Sequence, residues 1–113
     1  MAKVIILPSL EEEINKKFGG ESVEVLELLY SLRDHPKKGD ELGQVSGIVI
    51  KEIRYKSFRF YFITNGYILK VMDESRLTDL LIKFVRMSDK KSQQKTIDEI
   101  KQILKRLGEG GFK

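Results

Sequence analysis

The sequence predicts an α+β protein of one domain, spanning residues 1–113, in which a short first strand is followed by helices, then by the main group of strands and by a last helix. Two stretches, residues 9–32 and 88–107, repeat apolar residues at helical spacing. Between them, residues 45–64 are rich in Val, Ile, Phe and Tyr, which favour strands. Helices and strands that are segregated along the chain are typical of the α+β class. A chain of 113 residues has the size of a single domain.

The N-terminal segment predicts a strand followed by a helix. Residues 3–7 are apolar and mostly β-branched, and Pro8 stops the strand because proline has no amide hydrogen to give to a sheet. Ser9 and Glu12 have the spacing of a capping box. We therefore expect the first helix to start at Ser9.

A second helix is expected from Ser22, whose hydroxyl can cap it, and Gly19-Gly20 separates the two helices. It should end near Pro36, because the residue before a proline disfavours helix. Residues 37–43 are mostly polar and contain two glycines, so they predict a loop.

Residues 45–64 predict strands joined by a tight turn. If Lys56 and Ser57 are the two turn residues, Arg54 lies opposite Arg59 on the neighbouring strand. The register of every other pair in this hairpin follows from the same turn.

Asn65-Gly66 is the strongest short hairpin signal in the chain, because a type I′ turn needs residues that tolerate positive φ. We expect residues 67–72 to return as a third strand, which would place Lys70 opposite Tyr61. Residues 73–79 are mostly polar and predict a turn.

The last third of the chain predicts one ambiguous segment and one helix. Residues 77–87 fit both a helical period and an alternating strand. Residues 88–107 have a clear helical pattern, and Gly108 is placed to stop that helix.

One face of the predicted sheet is rich in cations. Cross-strand partners share a face, so one face is apolar while the other collects Glu52, Arg54, Arg59, Tyr61 and Lys70. Arg binds phosphate through two parallel hydrogen bonds and Lys attracts it as a point charge. Tyr can stack on a base or transfer a proton. The alternative is a solvated face whose cations pair with Glu52.

Composition limits the classes of function. Residues 1–50 hold six basic and nine acidic residues, whereas residues 51–113 hold fifteen and eight, so the second half suits a polyanion partner. The chain has no cysteine and only His35, which excludes a thiolate zinc site and a His-rich metal site. No apolar run has the length of about 20 residues that spans a bilayer. We expect a cytoplasmic protein without a metal, a cofactor or a membrane partner.

Two segments resemble the RelE/ParE toxin superfamily. The series Leu32, Pro36, Gly39, Gly47, Lys51-Glu52-Ile53-Arg54 and Phe58-Arg59-Phe60-Tyr61-Phe62 is similar to the core of that family. Residues 84–96 are similar to the F-x-K-K-S/T-x-K-T segment of its HigB-type members. In those members this segment is the last strand and leads into a C-terminal helix, which favours a strand for residues 80–87.

The resemblance implies N-terminal helices packed on a curved antiparallel sheet of four or five strands, with a helix after the last strand. It also implies metal-independent cleavage of mRNA, usually on a translating ribosome, and neutralisation by a cognate antitoxin. Two alternatives stay open: a ParE-like protein that inhibits DNA gyrase, and a non-catalytic RNA-binding relative.

The resemblance assigns roles to individual residues. Arg59 takes the place of the strand arginine that grips the scissile phosphate, Arg54 that of the preceding basic residue, and Arg86 lies near the last-strand basic position. Glu52 stands where RelE-type members often carry a lysine, so the general base is open between Glu52 and Tyr61, with His35 as a more remote third candidate. The set expected to bind RNA consists of Lys70, Lys83, Lys90, Lys91 and Lys95.

Overall fold

The structure is a computed structural model that describes residues 1–71, 73 and 80–112. Within these residues the strands are β1 (Lys3–Ile6), β2 (Asp40–Val45), β3 (Ile48–Tyr55), β4 (Phe58–Asn65) and β5 (Leu81–Ser88). The helices are α1 (Pro8–Phe18), α2 (Ser22–Tyr30), α3 (Gly66–Val71) and α4 (Gln93–Leu107). The α+β class predicted from the sequence is confirmed.

All five strands belong to one mixed sheet with the order β1-β5-β4-β3-β2. The pairs β2–β3, β3–β4 and β4–β5 are antiparallel, but β1 runs parallel to β5. The prediction of an antiparallel sheet is therefore wrong at this edge. Parallel neighbours need a crossover connection, and here α1 and α2 carry the chain from β1 at one edge to β2 at the other.

The predicted hairpin of β3 and β4 is confirmed. Arg54 pairs with Arg59 across the two strands, and Tyr55 pairs with Phe58. The turn residue Lys56 has a φ of 54°, which is the positive φ that the tight turn requires.

The second hairpin, predicted at Asn65-Gly66, is wrong, because Gly66–Val71 is a helix. The side-chain oxygen of Asn65 accepts a hydrogen bond from the amide of Ile68 at 3.0 Å, so this Asn caps a helix. The amide of Gly66 donates to the carbonyl of Gly47 at 2.9 Å. A Cβ on Gly66 would lie 2.9 Å from that same oxygen.

The strand beside β4 is β5, and Tyr61 consequently pairs with Arg86 rather than with Lys70. The choice of strand for residues 80–87 is confirmed from Leu81 onward. Of the turn predicted at 73–79, residues 74–79 lie outside the described residues, as do 72 and 113.

Several predicted boundaries shift. The first helix begins at Pro8 rather than Ser9, since the first helical position needs no amide hydrogen. The second ends at Tyr30 and continues as a short 3₁₀ turn. The predicted loop at 37–43 is wrong from Asp40 onward, where β2 begins.

The last helix begins at Gln93 instead of residue 88, because Ser88 belongs to β5. Gly108 ends the helix as predicted: its φ is 68° and its amide donates to the carbonyl of Leu104.

Helices cover both faces of the sheet. On one face the ring of Phe18 from α1 packs against Phe58 and Phe60, with ring centroids 5.1 and 6.1 Å away. On the other face α4 buries an apolar stripe that consists of Ile97, Ile100 and Leu104. This second face is the one that carries Glu52, Arg59 and Tyr61.

In the part of the chain that the structure describes, no helix combines the length and the apolar character that a membrane crossing requires.

Candidate nucleic-acid interface

Five of the predicted site residues share one face of the sheet. Strand alternation places Glu52 and Arg54 of β3 on the same side, and their cross-strand partners are Tyr61 and Arg59 of β4. Arg86 of β5 pairs with Tyr61 and completes the set. The predicted grouping is confirmed for the four residues of β3 and β4, whereas Arg86 takes the place opposite Tyr61 that was predicted for Lys70.

Most of this face is covered, so it is not the solvated face of the alternative interpretation. Tyr61 is 0%, Glu52 2% and Arg59 7% exposed. Helix α4 crosses the face, and the side-chain amide of its first residue, Gln93, donates to both carboxylate oxygens of Glu52 at 3.4 and 3.3 Å. Of this group only Arg54 keeps a largely exposed side chain, at 57%.

A signal for this cover was present in the sequence. The same face continues through Ile50 and Ile63, a cross-strand pair that is 0% and 1% exposed. An apolar pair on the supposedly polar face indicates that another element packs there.

Glu52 lies at the centre of the charged residues. Its Oε1 is 3.6 Å from Nη2 of Arg54, and its Oε2 is 3.8 Å from Nε of Arg59. Both distances exceed those of hydrogen bonds, and Nε of Arg59 is buried without a hydrogen-bond partner. A buried carboxylate needs compensating charge, and the two guanidinium groups supply it.

Tyr61 donates or accepts a 2.7 Å hydrogen bond with the hydroxyl of Ser88. Burial raises the pKa of Tyr61, although the bond to Ser88 acts in the opposite direction. The phenol is thus protonated at neutral pH, which makes it a possible acid rather than a base. Ser88 lines a cavity at the end of β5.

Two further predicted site residues, Arg86 and Lys83, form hydrogen bonds to other groups of the protein. Arg86 donates from Nε to Glu99 of α4 at 2.7 Å and from Nη1 to the carbonyl of Val85. Lys83 donates to the carbonyl of Phe112 at 3.3 Å. These contacts hold α4 and the segment after it against β5.

The other lysines predicted to bind RNA lie in two separate places on the surface. Lys70 lies on α3 and is exposed, so it does not share the sheet face on which it was predicted. Lys90, Lys91 and Lys95 are exposed in the β5–α4 loop and the first turn of α4. Because Ser88 pairs with Arg59, this loop leaves the sheet at the same end as the β3–β4 turn.

Lys51 was not predicted as a notable residue. Its side chain is on the opposite face, where its ammonium donates to the carbonyl of Lys37 at 3.0 Å and lies 5.9 Å from the centroid of the Phe62 ring. Burial lowers its pKa, against the attraction of Glu41 and Asp40. Its contacts tie the segment before β2 to the sheet.

Among the described residues, no three His, Cys, Asp or Glu side chains are grouped closely enough to hold a metal ion. Comparison with family models, with curated proteins and with solved structures gave no match in any of the three.

Proposed function

We propose that this chain is a cytoplasmic toxin of the RelE/ParE type that cleaves mRNA on the ribosome without a metal or cofactor. The observation that carries the proposal is the grouping of Arg54 and Arg59 around Glu52, at the end of the sheet from which the Lys90-Lys91 loop emerges. This end presents exposed cations to a phosphate backbone.

The order of the elements supports the same proposal. Two helices precede the main part of the sheet and one helix follows its last strand, as the RelE-like arrangement would require. The excess of basic residues in the second half of the chain, fifteen against eight acidic, also suits an RNA partner.

The proposed reaction uses the RNA as its own nucleophile. The 2′-hydroxyl oxygen gives up its proton to water and forms a bond to the adjacent phosphorus, the bond to the leaving 5′-oxygen breaks, and that oxygen takes up a proton. Arg54 is the exposed guanidinium that can stabilise the extra charge on the phosphate. Tyr61 is 0% exposed and cannot reach RNA itself, so the proposed donor is the Ser88 hydroxyl, which lines the cavity and regains a proton from the hydrogen-bonded Tyr61 phenol.

Glu52 is better suited to position Arg54 than to take a proton from RNA. It is 2% exposed and already lies between two guanidinium groups and the amide of Gln93. Arg59, which is 7% exposed, has the same supporting role in this proposal.

A non-catalytic RNA-binding relative is the second candidate. The burial of Glu52, Arg59 and Tyr61 favours it, since these side chains were expected to touch RNA directly. Under either candidate we propose that a cognate antitoxin with an acidic segment binds the chain. Its association should weaken as salt rises.

The cleanest test of the catalytic proposal is Arg54→Ala. Because this side chain is 57% exposed, its loss should cost at most about 1 kcal/mol of stability. Losing one donor to the developing charge should lower the rate of mRNA cleavage by about 100- to 1,000-fold. The rate is measured with purified protein, with and without ribosomes and in the presence of EDTA, alongside thermal melts.

Arg59→Ala is a poorer test, because it leaves the Glu52 carboxylate buried without its neighbour and so mixes stability with function. Arg106→Ala is the matched control, since Arg106 is an exposed arginine in the last turn of α4. If Arg54→Ala folds and cuts RNA at the original rate, the phosphate site has been misassigned. If the unchanged protein binds RNA without cutting it, the non-catalytic candidate replaces the first; gyrase inhibition instead would support a ParE-like function.

A further inference from the structure

A cavity of about 200 Å³ opens at the same end of the sheet as the charged residues. It lies between α1, the start of β4 and the loop that joins β5 to α4. Phe58 and Met87 form its apolar wall, and Ser88, Asp89 and Ser92 contribute polar atoms. Pockets for drug-sized ligands measure about 300–1,000 Å³, so this cavity suits a smaller group.

We propose that this cavity binds one base of the RNA and that it prefers guanine. RNA as the ligand follows from the function proposed above, and the selected base is the added specificity. Three features carry the proposal: an aromatic wall, a carboxylate acceptor, and a charge balance that disfavours phosphate inside the cavity.

The aromatic wall is Phe58, which is half-buried. Its ring meets that of Phe18 edge to face, with centroids 5.1 Å apart and an interplanar angle of 79°, and this contact fixes its orientation. Stacking of a base on such a ring is tolerant of sequence, because every base has a π-face. Phe58 would therefore supply affinity for any base and no preference among them.

Asp89 supplies the preference. Its Oδ1 accepts a hydrogen bond from the amide of Ser92 at 2.9 Å, and this bond lowers the pKa of Asp89. Each carboxylate oxygen has two lone pairs, so acceptor capacity remains. Guanine offers two adjacent N–H donors on its Watson–Crick edge, whereas uracil offers one N–H between two carbonyls. An ionised carboxylate therefore favours guanine.

The charges of the cavity favour a neutral base over a phosphate. Glu13 and Asp89 both line it, against the single cation Lys17. The ammonium of Lys17 lies over the Phe58 ring, 5.2 Å from its centroid, so a base that stacks there displaces this flexible side chain, which can then pair with the phosphate of the same nucleotide. A phosphate within the cavity would face two carboxylates, and a base would not be repelled.

The test compares a short 2′-O-methyl oligouridine with the same oligomer carrying one central guanosine. The methyl group blocks the nucleophile, so binding is measured by fluorescence anisotropy without cleavage. The guanosine oligomer should bind at least about 5-fold more tightly, the lower limit for one bidentate base contact. Asp89→Asn should remove that preference while keeping the bond from Ser92, since Asn caps this position as well as Asp does.

Asp98→Asn is the matched control, because it removes the same charge from an exposed carboxylate of α4 outside the cavity. It should leave the guanosine preference unchanged. A parallel titration of guanosine and uridine monophosphates, followed by ligand-detected NMR, tests the cavity independently of RNA cleavage.

The outcomes separate this proposal from the proposed function. Equal affinity for both oligomers, or a guanosine preference that survives in Asp89→Asn, would overturn the guanine pocket even if the chain cleaves RNA. Guanosine binding that depends on Asp89, in a chain that cuts nothing, would support the pocket and defeat the nuclease.

Discussion

Replacing Glu52 by Gln should destabilise the fold strongly, although its ion pairs are long. The variant keeps the size of the side chain but removes the charge that faces Arg59, whose side chain is 9% exposed. Leaving one member of a buried pair without its partner costs about 3–5 kcal/mol. Because Nε of Arg59 is 3.8 Å from the carboxylate and not hydrogen-bonded to it, we expect a cost near the lower limit, about 3 kcal/mol.

The control is a shorter but more exposed ion pair. Arg86 and Glu99 are 2.7 Å apart, with side chains 30% and 49% exposed. Water screens such a pair, so Glu99→Gln should cost only about 0.2–1 kcal/mol. Comparing the two variants therefore shows whether burial or distance determines how much an ion pair stabilises this fold.

Urea unfolding measures both variants, and the midpoint should fall without a change in the m-value. For a chain of this length, 3 kcal/mol corresponds to a melting temperature lower by about 12 °C. In a double-mutant cycle, Arg59→Met should recover part of the loss in Glu52→Gln, because the unpaired charge is gone. A Glu52→Gln variant as stable as Glu99→Gln would refute the reasoning. A double variant whose loss in free energy of unfolding equals the sum of the two single losses would refute it as well.

Two further predictions concern a turn and a phenol. Gly39 has a φ of 105°, and a Cβ there would lie 3.2 Å from the ring of Phe62, so Gly39→Ala should lower stability by about 1–3 kcal/mol. Gly20 has open space around it, so Gly20→Ala should be close to neutral. Equal urea midpoints for the two variants would contradict the prediction. Partial burial and a hydrogen bond to Glu24 raise the pKa of Tyr55 to about 12. The folded chain thus favours the protonated phenol, and the stability this contributes is complete below about pH 10 and is lost as pH rises towards 12. In an ultraviolet titration Tyr55→Phe should remove one late-ionising phenol, and an unchanged curve would contradict the assignment.

Features that depend on neighbouring residues could be predicted from the sequence. The turn at Lys56 and Ser57 sets the register of β3 against β4, and the pairing of Arg54 with Arg59 follows from it. Gly108 ends α4 because a residue without a Cβ adopts positive φ at little cost. In each case the physical cause lies within a few residues of its effect.

Asn65-Gly66 shows where local signals become ambiguous. The dipeptide suits a type I′ turn, but Asn is equally suited to cap a helix, and Gly to a close approach between backbones. In the structure Asn65 caps a helix by accepting a hydrogen bond from Ile68, and Gly66 allows a close approach to the backbone of Gly47. The partner that decides between them, Gly47, is nineteen positions away in the sequence.

The sequence by itself determined which side chains of β3 and β4 share the charged face, because alternation along a strand assigns each side chain to one side of the sheet. Only the tertiary structure decided that this face is buried. Gln93 and Glu52 are 41 residues apart, and they meet because the apolar stripe of α4 has to be removed from water against some surface. The amphipathic pattern of a helix shows which of its sides will be covered, but the partner surface depends on how all the elements pack together.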